Sequence, residues 1–260
     1  MTSRKTETAP IKARSGEPRR SRPVQVADAI KDWVVSQGLR KGARLPSETE
    51  MIARYARSKG TIREAMRILE AQGLIETRTG PGGGSFVGEV SVERARALLG
   101  NYFYFKNLSI RDIYQIRRAL EPELVASLAG QLDEVALAEL EALIDQYPEP
   151  AATPDEEREQ HIASLKFHSR LADHAENELL GFLIGFMAQI LSDLTVYRQL
   201  YSPPNIELWR RGRSYQMDLV KALRAGDDVQ ARRIMSDHME TAQTLMEGQE
   251  EQVLTRFFAE

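Results

Sequence analysis

The sequence predicts a mainly α-helical chain of two units: three helices with a two-stranded hairpin, then an all-helical bundle. Apolar residues recur at helical spacing along most of the chain, whereas short strand-like runs around glycines occur only near residues 74–87. Up to residue 88 there are 17 Lys and Arg against 9 Asp and Glu, a net charge of +8, and the remainder carries −11. A basic front part favours binding to a polyanion, and an acidic back part argues against a protein that coats nucleic acid along its whole length.

Composition excludes several classes of protein. The 260 residues are 42% apolar, which is ample for one large or two ordinary domains, and there is no cysteine. A disulfide scaffold, a thiolate zinc site and a cysteine nucleophile are therefore ruled out. No apolar run is expected to reach the ~18–20 residues that span a bilayer, and the N-terminus lacks the apolar core of a secretion signal. We expect a cytoplasmic protein with no membrane partner.

The first unit begins after a basic, proline-containing segment, residues 1–22, which we interpret as a disordered arm or an unselected tail. Periodicity predicts a helix at Val24–Gln37, and Ser47 with Glu50 forms a capping-box pattern that opens a second helix. A third helix is predicted from Lys59 to Gln72, with a buried stripe and a terminating glycine.

Two short strands then flank the glycine-rich run at 80–84, as in a β-hairpin. Three helices followed by a two-stranded wing form a winged helix-turn-helix. Beyond residue 88 the pattern predicts only helices, near Val92–Tyr104, Ser109–Gly130, Glu134–Asp145, Asp155–His174, Glu178–Tyr201, Ile206–Ala225 and Asp228–Glu250. Pro122 should kink or split the second of these.

The predicted domain boundaries follow from these elements. The arm comprises residues 1–22, the winged helix-turn-helix 23–90, the helical domain 91–250 and a tail 251–260.

The third helix carries the candidate DNA contacts. In a helix-turn-helix the recognition helix enters the major groove with its N-terminal end, where Lys59 and Arg63 can reach guanine edges or phosphates. The hydroxyls of Ser58 and Thr61 can contact phosphates, and Gly60 lets DNA approach closely. The remaining candidates are Arg57 before the helix and Arg78 and Gly80 at the wing. The alternative for each cation is a solvated surface charge.

The front part resembles the GntR family of bacterial transcription regulators. The resemblance covers about 65 residues and is carried by Leu45-Pro46-Ser47-Glu48, Arg63-Glu64-Ala65, Leu69-Glu70, Gly73-Leu74-Ile75 and the glycines before Phe86-Val87. Thr49 stands where the family usually has a DNA-contacting arginine, and Arg57-Ser58-Lys59 replaces Val-Ser-Arg. The operator sequence therefore cannot be carried over from relatives.

The back part, roughly residues 92–245, is similar to the effector domain of the FadR subfamily, called the FCD domain. The matching motifs are Ile116–Glu123, Phe167-His168 with Asn177, and Ala222–Asp227 with His238. Many members bind a divalent metal through an Asp and three His, and the matching positions here are Ser164, His168, Gln216 and His238. Because only His168 and His238 are strong ligands, we expect no tightly bound metal and at most a weakly held divalent ion.

Side-chain spacing independently marks the same region. His168, Gln216 and His238 lie on apolar helix faces, which favours either hydrogen-bonded core residues or a polar ligand cavity. Arg117 also lies on an apolar face and needs an anion, either Glu121 one turn on or a ligand carboxylate. Tyr114 lies beside this stripe.

Together these features predict a ligand-responsive, DNA-binding transcription regulator, and we expect a repressor associated with the nucleoid. Its expected partners are a small organic-acid effector held by Tyr114, Arg117, His168, Gln216 and His238, an inverted-repeat DNA operator, and a second copy in a homodimer. The alternatives are a metal-responsive regulator, a histidine-dependent enzyme fused to a DNA-binding module, and a structural nucleoid protein. We expect no enzyme, because the sequence has no catalytic triad order, metal motif or phosphate loop.

Overall fold

The computed structural model describes residues 20–257, and these divide into two compact units with the boundary between Ala95 and Arg96. Most of the predicted basic arm, residues 1–19, lies outside the described residues. The first helix begins at Arg22, inside the segment that the sequence assigned to the arm.

The first unit contains three helices and a hairpin. The helices are α1 (Arg22–Ser36), α2 (Glu48–Tyr55) and α3 (Lys59–Ala71), followed by strands β1 (Ile75–Arg78) and β2 (Gly84–Val87). The strands pair antiparallel in a register that places Ile75 opposite Val87 and Arg78 opposite Gly84. This arrangement confirms the winged helix-turn-helix.

Local sequence explains where α2 and α3 begin. The predicted capping box is present, because the Ser47 side chain accepts from the Glu50 backbone N–H and the Glu50 carboxylate accepts from Ser47. Ser58 caps α3 by accepting from the Thr61 backbone N–H at 3.3 Å. The buried stripe of α3, which includes Ile62, packs on the core formed with α1, so the opposite face stays open to solvent.

The second unit is helical, with α4 (Val92–Tyr104) crossing the boundary between the units. The remaining helices are α5 (Ile110–Leu128), α6 (Glu134–Asp145), α7 (Pro154–Asp173), α8 (Glu178–Tyr197), α9 (Ile206–Ala225) and α10 (Asp228–Phe257). Helix α5 packs against α8 and α10, while α7 packs on α8 and α9 on α10.

Three details differ from the sequence predictions. Pro122 does not divide α5, which is assigned as one helix from Ile110 to Leu128. Helix α8 ends at Tyr197 rather than Tyr201, and α10 continues to Phe257, so the predicted tail from 251 begins as helix. The α10 periodicity weakens after Met246, which hid this extension from a pattern based on a buried stripe.

Helix α8 corrects a further expectation. Among residues 20–257 it alone is long and apolar enough to cross a membrane by length and composition, with a mean hydropathy of 1.8. Eight of its residues are buried in the helical unit, including Ile184 and Leu191. Core helices of soluble proteins commonly combine this length and hydropathy, and 44% of the apolar stretch is buried in the bundle.

Candidate nucleic-acid interface and ligand cavity

The N-terminal end of α3 presents the predicted DNA-contact residues to solvent. The side chains of Lys59 and Arg63 are 66% and 62% exposed, one helical turn apart. Each forms an ion pair with Glu48 of α2, Lys59 through Nζ at 3.2 Å and Arg63 through Nε at 3.4 Å. The two cations therefore share one carboxylate in the unbound protein.

The neighbouring predicted residues have different local roles. Ser58 and Thr61 are hydrogen-bonded to each other through their hydroxyl oxygens at 2.9 Å, so the cap engages both groups that were predicted to contact phosphates. A Cβ on Gly60 would meet nothing within 4 Å, and α3 is open at this point. Arg57 is half-buried, and one of its Nη atoms donates to the Ala56 carbonyl at 3.4 Å.

The wing places Arg78 and Gly80 at its exposed tip. The guanidinium of Arg78 lies 4.5 Å from the centre of the Phe86 ring and 3.5 Å from a carboxylate oxygen of Glu76. Gly80 has a φ of +89°, a conformation that favours glycine, and a Cβ there would meet nothing within 4 Å. Arg44 contacts the wing by donating a hydrogen bond to the Gly83 carbonyl oxygen at 2.8 Å.

The helical unit encloses a polar cluster that runs through four side chains. Arg117 Nε donates to Glu121 Oε1 at 2.6 Å, and Glu121 Oε2 lies 2.5 Å from His168 Nδ1. His168 Nε2 lies 3.2 Å from His238 Nε2. All four residues are at most 5% exposed. Because an ionised carboxylate only accepts, His168 donates to Glu121 through Nδ1, and one of the two Nε2 atoms donates to the other.

The electrostatics of this cluster follow from burial and from the Arg117 cation. Burial alone raises the pKa of Glu121, but Arg117 and His168 outweigh it and lower that pKa from 4.5 to about 2. Burial, followed by repulsion from His168 and Arg117, lowers the pKa of His238 well below 6.5. At neutral pH the cluster therefore holds an ionised Arg117–Glu121 pair beside a neutral His238.

Three side chains of the cluster, Arg117, His168 and His238, line a cavity of about 70 Å³ between α5, α6, α7, α9 and α10. Its wall includes all five side chains that the sequence proposed for an effector, namely Tyr114, Arg117, His168, Gln216 and His238. A water molecule needs roughly 10–15 Å³ by this measure, so the space exceeds that of one water. The structure thus brings the predicted residues together, while their role as ligand contacts stays a prediction.

The alternative partner for Arg117 is present, because Glu121 occupies its Nε. One guanidinium nitrogen, Nη2, is buried and has no hydrogen-bond partner among the described residues. The side-chain amide oxygen of Gln160, Oε1, is also buried on the cavity wall without a hydrogen-bond partner among the described residues. Buried polar atoms are normally hydrogen-bonded, so these two atoms are the ones on the cavity wall that a polar guest or a water would contact.

Sequence reasoning missed several residues of the cavity wall. His161 is hydrogen-bonded to Thr195 at 3.1 Å, and burial, with the charges of Arg117 and His168, lowers its pKa from 6.5 to about 4. Glu157 and Gln160 also line the cavity from α7. Residues 157, 160/161, 164 and 168 follow helical spacing, so a polar stripe on α7 was the signal that could have found them.

The four positions that correspond to metal ligands in the resembling family do converge. Gln216 Nε2 donates to Ser164 Oγ at 3.0 Å, close to the paired His168 and His238. The donor set is nevertheless two imidazoles with a neutral hydroxyl and a carboxamide, which does not fit a tightly held divalent metal. Within residues 20–257, no group of three or more His, Cys, Asp or Glu side chains is arranged to hold a metal ion.

Two protein-family profiles match the chain. The profile described as "Bacterial regulatory proteins, gntR family" matches residues 23–87, and the FCD domain profile matches residues 112–241, half of the chain. The chain belongs to the gntR family of bacterial regulatory proteins. It is a DNA-binding transcription regulator whose helical unit is an FCD-type effector domain.

Several curated relatives are similar to this gntR-family regulator over most of their length. The HTH-type transcriptional regulator LutR of Bacillus subtilis is 25% identical over 81% of this chain and 94% of its own. The putative HTH-type regulator RmpR of Mycobacterium gastri is 28% identical over 83% of this chain and 78% of its own. The putative L-lactate dehydrogenase operon regulatory protein of Escherichia coli is 25% identical over 85% of each chain.

A solved structure shares the fold. The protein titled Streptococcus agalactiae GntR superposes with a TM-score of 0.58 at 20% identity, covering 85% of this chain and 99% of that one.

Proposed function

We propose that this regulator binds a small carboxylic acid in the FCD cavity and that binding changes its affinity for a DNA operator. The observation that carries the proposal is the buried, unpaired Nη2 of Arg117 on the cavity wall. A cationic donor without a partner is costly in a buried site, and a carboxylate oxygen is the partner that guanidinium prefers. Because Glu121 already occupies Nε, the ligand contact is made through the Nη end.

The Gln160 oxygen narrows the proposed ligand class. This oxygen accepts hydrogen bonds, so a ligand that contacts it needs a donor such as a hydroxyl group. A small acid that also carries a hydroxyl would satisfy both unpaired atoms. The E. coli relative named for an L-lactate dehydrogenase operon supports this direction, since lactate combines the same two groups.

No metal is required in this proposal. The His168–His238 contact engages the two nitrogens that would otherwise point at an ion, and Ser164 and Gln216 satisfy each other. We therefore propose a metal-independent effector site in this chain, with any divalent ion held weakly.

DNA is read by α3 in this proposal. Lys59 and Arg63 reach base edges or phosphates, the wing residues Arg78 and Gly80 contact the neighbouring groove, and Ser58, Gly60, Thr61 and Arg57 support the contact. We propose repression as the output, released by the acid.

A homodimer completes the proposal. Apolar side chains stay exposed on α4 and α8 of the second unit, here called the α4–α8 surface: Leu98, Leu99, Tyr102, Tyr104, Leu179, Leu183 and Tyr197. The rings of Tyr104 and Tyr197 are 6.1 Å apart, so exposed side chains of α4 and α8 meet at the C-terminal ends of the two helices. Exposed apolar patches of this kind mark interaction sites, and a second copy would present two recognition helices to an inverted repeat.

The test is a thermal-shift screen of small organic acids, with and without a hydroxyl, on protein treated with a chelator. Arg117→Lys is the informative variant, because it keeps a cation for Glu121 but removes Nη2. Arg118→Lys is the matched control, since Arg118 is its exposed neighbour. We expect the best acid to stabilise the wild type and Arg118→Lys but not Arg117→Lys. Equal stabilisation of Arg117→Lys would contradict the proposal.

A further inference from the structure

Glu48 is placed between the two cations that the proposed function assigns to DNA. Its Oε1 lies 3.2 Å from Lys59 Nζ, and its Oε2 lies 3.4 Å from Arg63 Nε. The three side chains are at least 39% exposed, and exposed ion pairs contribute little to stability. Fold stability alone therefore gives little reason for this arrangement.

The N-terminal cap of α2 does not include the Glu48 carboxylate. The N-terminus of α2 is capped by Ser47 and Glu50, which satisfy each other's groups on either side of Glu48 in the chain. A substitution that removes the Glu48 charge should therefore leave the cap and the helix in place.

The geometry of the Arg63 contact determines which of its atoms stay available. Glu48 meets the Nε side of the guanidinium, and within residues 20–257 neither Nη atom has a hydrogen-bond partner. The two Nη atoms form the fork that can bind O6 and N7 of guanine together. Glu48 thus contacts the Arg63 guanidinium at Nε and leaves both Nη atoms available for a base.

The carboxylate also separates two like charges. Lys59 and Arg63 are four residues apart on α3, a spacing at which two cations repel each other. By taking one cation on each oxygen, Glu48 offsets this repulsion and keeps both side chains on one side of α3.

We infer that Glu48 is a positioning residue that sets the sequence specificity of this regulator. It holds Arg63, with Lys59 beside it, in the orientation that a base edge accepts, while its negative charge repels DNA phosphates of any sequence. The inference rests on the proposed DNA contacts of Lys59 and Arg63. Its consequence is that Glu48 opposes binding to all DNA but favours the operator over other sequences.

The experiment compares Glu48→Gln with Glu64→Gln. Glu64 is a matched control because its exposed carboxylate pairs with Arg67 on the same helix, at 3.5 Å, and not with Lys59 or Arg63. An operator is first selected with the wild-type protein from a random duplex pool. The dissociation constants of each full-length variant are then measured for that operator and for a scrambled duplex at several salt concentrations.

We expect Glu48→Gln to bind scrambled DNA more tightly than the wild type and to lose roughly tenfold in the operator-to-scrambled affinity ratio. Glu64→Gln should bind both duplexes more tightly to the same extent and keep the operator-to-scrambled affinity ratio. Glu48→Asp should recover part of it, because the charge is retained on a shorter stem. Circular dichroism checks that α2 persists in each variant.

Two results would overturn the inference. An unchanged ratio in Glu48→Gln, alongside loss of operator binding in Arg63→Ala, would contradict the role of Glu48 alone. Wild-type operator affinity in Arg63→Ala would remove the proposed DNA contact and the inference together.

Discussion

The Nε2 atoms of His168 and His238 lie 3.2 Å apart, although the two residues are 70 positions apart in the chain. Glu121 orients the His168 ring, because it accepts from the other nitrogen of that ring at 2.5 Å. The hydrogen bond between the two Nε2 atoms then uses a lone pair that a metal ion would require. The same geometry that resembles a metal site is satisfied here by hydrogen bonds.

Restoring the two missing ligands should restore metal binding. Ser164 and Gln216 already touch at 3.0 Å beside the histidine pair, so Ser164→Asp with Gln216→His would supply an Asp and three His. We expect a stoichiometric divalent ion in the double variant after incubation with zinc and dialysis, measured by elemental analysis, and little in the wild type. A full equivalent in dialysed wild-type protein would contradict the metal-independent proposal.

Stability should fall as the pH drops from 6.5 towards 4. Burial and nearby cations lower the pKa of His161 to about 4 and that of His238 well below 6.5, so the unfolded chain binds more protons in this window. For His161 the effect is at most about 3 kcal/mol. The pKa of Glu121 is lowered to about 2, so its ionised form stabilises the fold fully above pH 4.5. That stabilisation is lost only as the pH falls below 4.5 towards 2.

Urea unfolding at pH 7.5 and pH 5 measures this effect. His161→Gln should lose less stability between the two pH values than the wild type. His174→Gln, which changes an exposed histidine at the end of α7, should behave as the wild type does. Identical pH dependence in the His161 and His174 variants would show that His161 is not held neutral by burial.

Gly60→Ala should separate folding from DNA binding. The added methyl group meets nothing within 4 Å, and alanine is the better helix former, so we expect about 0.5–1 kcal/mol of added stability. Operator affinity should nevertheless fall, because the methyl group would occupy space into which DNA approaches. Gly248→Ala in α10, also without neighbours within 4 Å, should gain stability and keep operator affinity. Undiminished operator binding by Gly60→Ala would rule out close approach at this residue.

Leu98→Glu should dissociate the proposed dimer. Leu98 is 57% exposed on the α4–α8 surface, and a charge at its position would be buried without a partner on association. Val229→Glu is the control, since Val229 is 72% exposed at the start of α10. Sedimentation should give a dimer for the wild type and the control, and a monomer or a weaker dimer for Leu98→Glu. A monomeric wild type at micromolar concentration would contradict the dimer.

The features that depend on local sequence pattern were predicted correctly. The Ser47–Glu50 cap, the wing around the glycine run and the burial of Arg117 each follow from residues close together in the chain. The boundary of α10 was less accessible, because its last turns lack the apolar stripe that marked the earlier ones.

Contacts between helices could not be predicted in the same way. Glu48 lies on α2 and its partners lie on α3, so their convergence depends on the turn between the helices. The anion beside Arg117 was open to two interpretations, Glu121 or a ligand carboxylate, and no local pattern linked His168 on α7 to the second oxygen of Glu121. The contact of Ser164 with Gln216 was suggested only by resemblance to a family, since nothing in the local pattern links α7 to α9 at these positions.

The central claim is that an acid held by Arg117 changes the affinity of the regulator for its operator. Fluorescence anisotropy with a labelled operator duplex, in the presence and absence of the best acid from the screen, measures this coupling directly. We expect a roughly 5- to 150-fold weaker affinity with acid for the wild type and for Arg118→Lys, and no change for Arg117→Lys. An acid-dependent change of the same size in Arg117→Lys, or an unchanged operator affinity in acid-saturated wild-type protein, would contradict the claim.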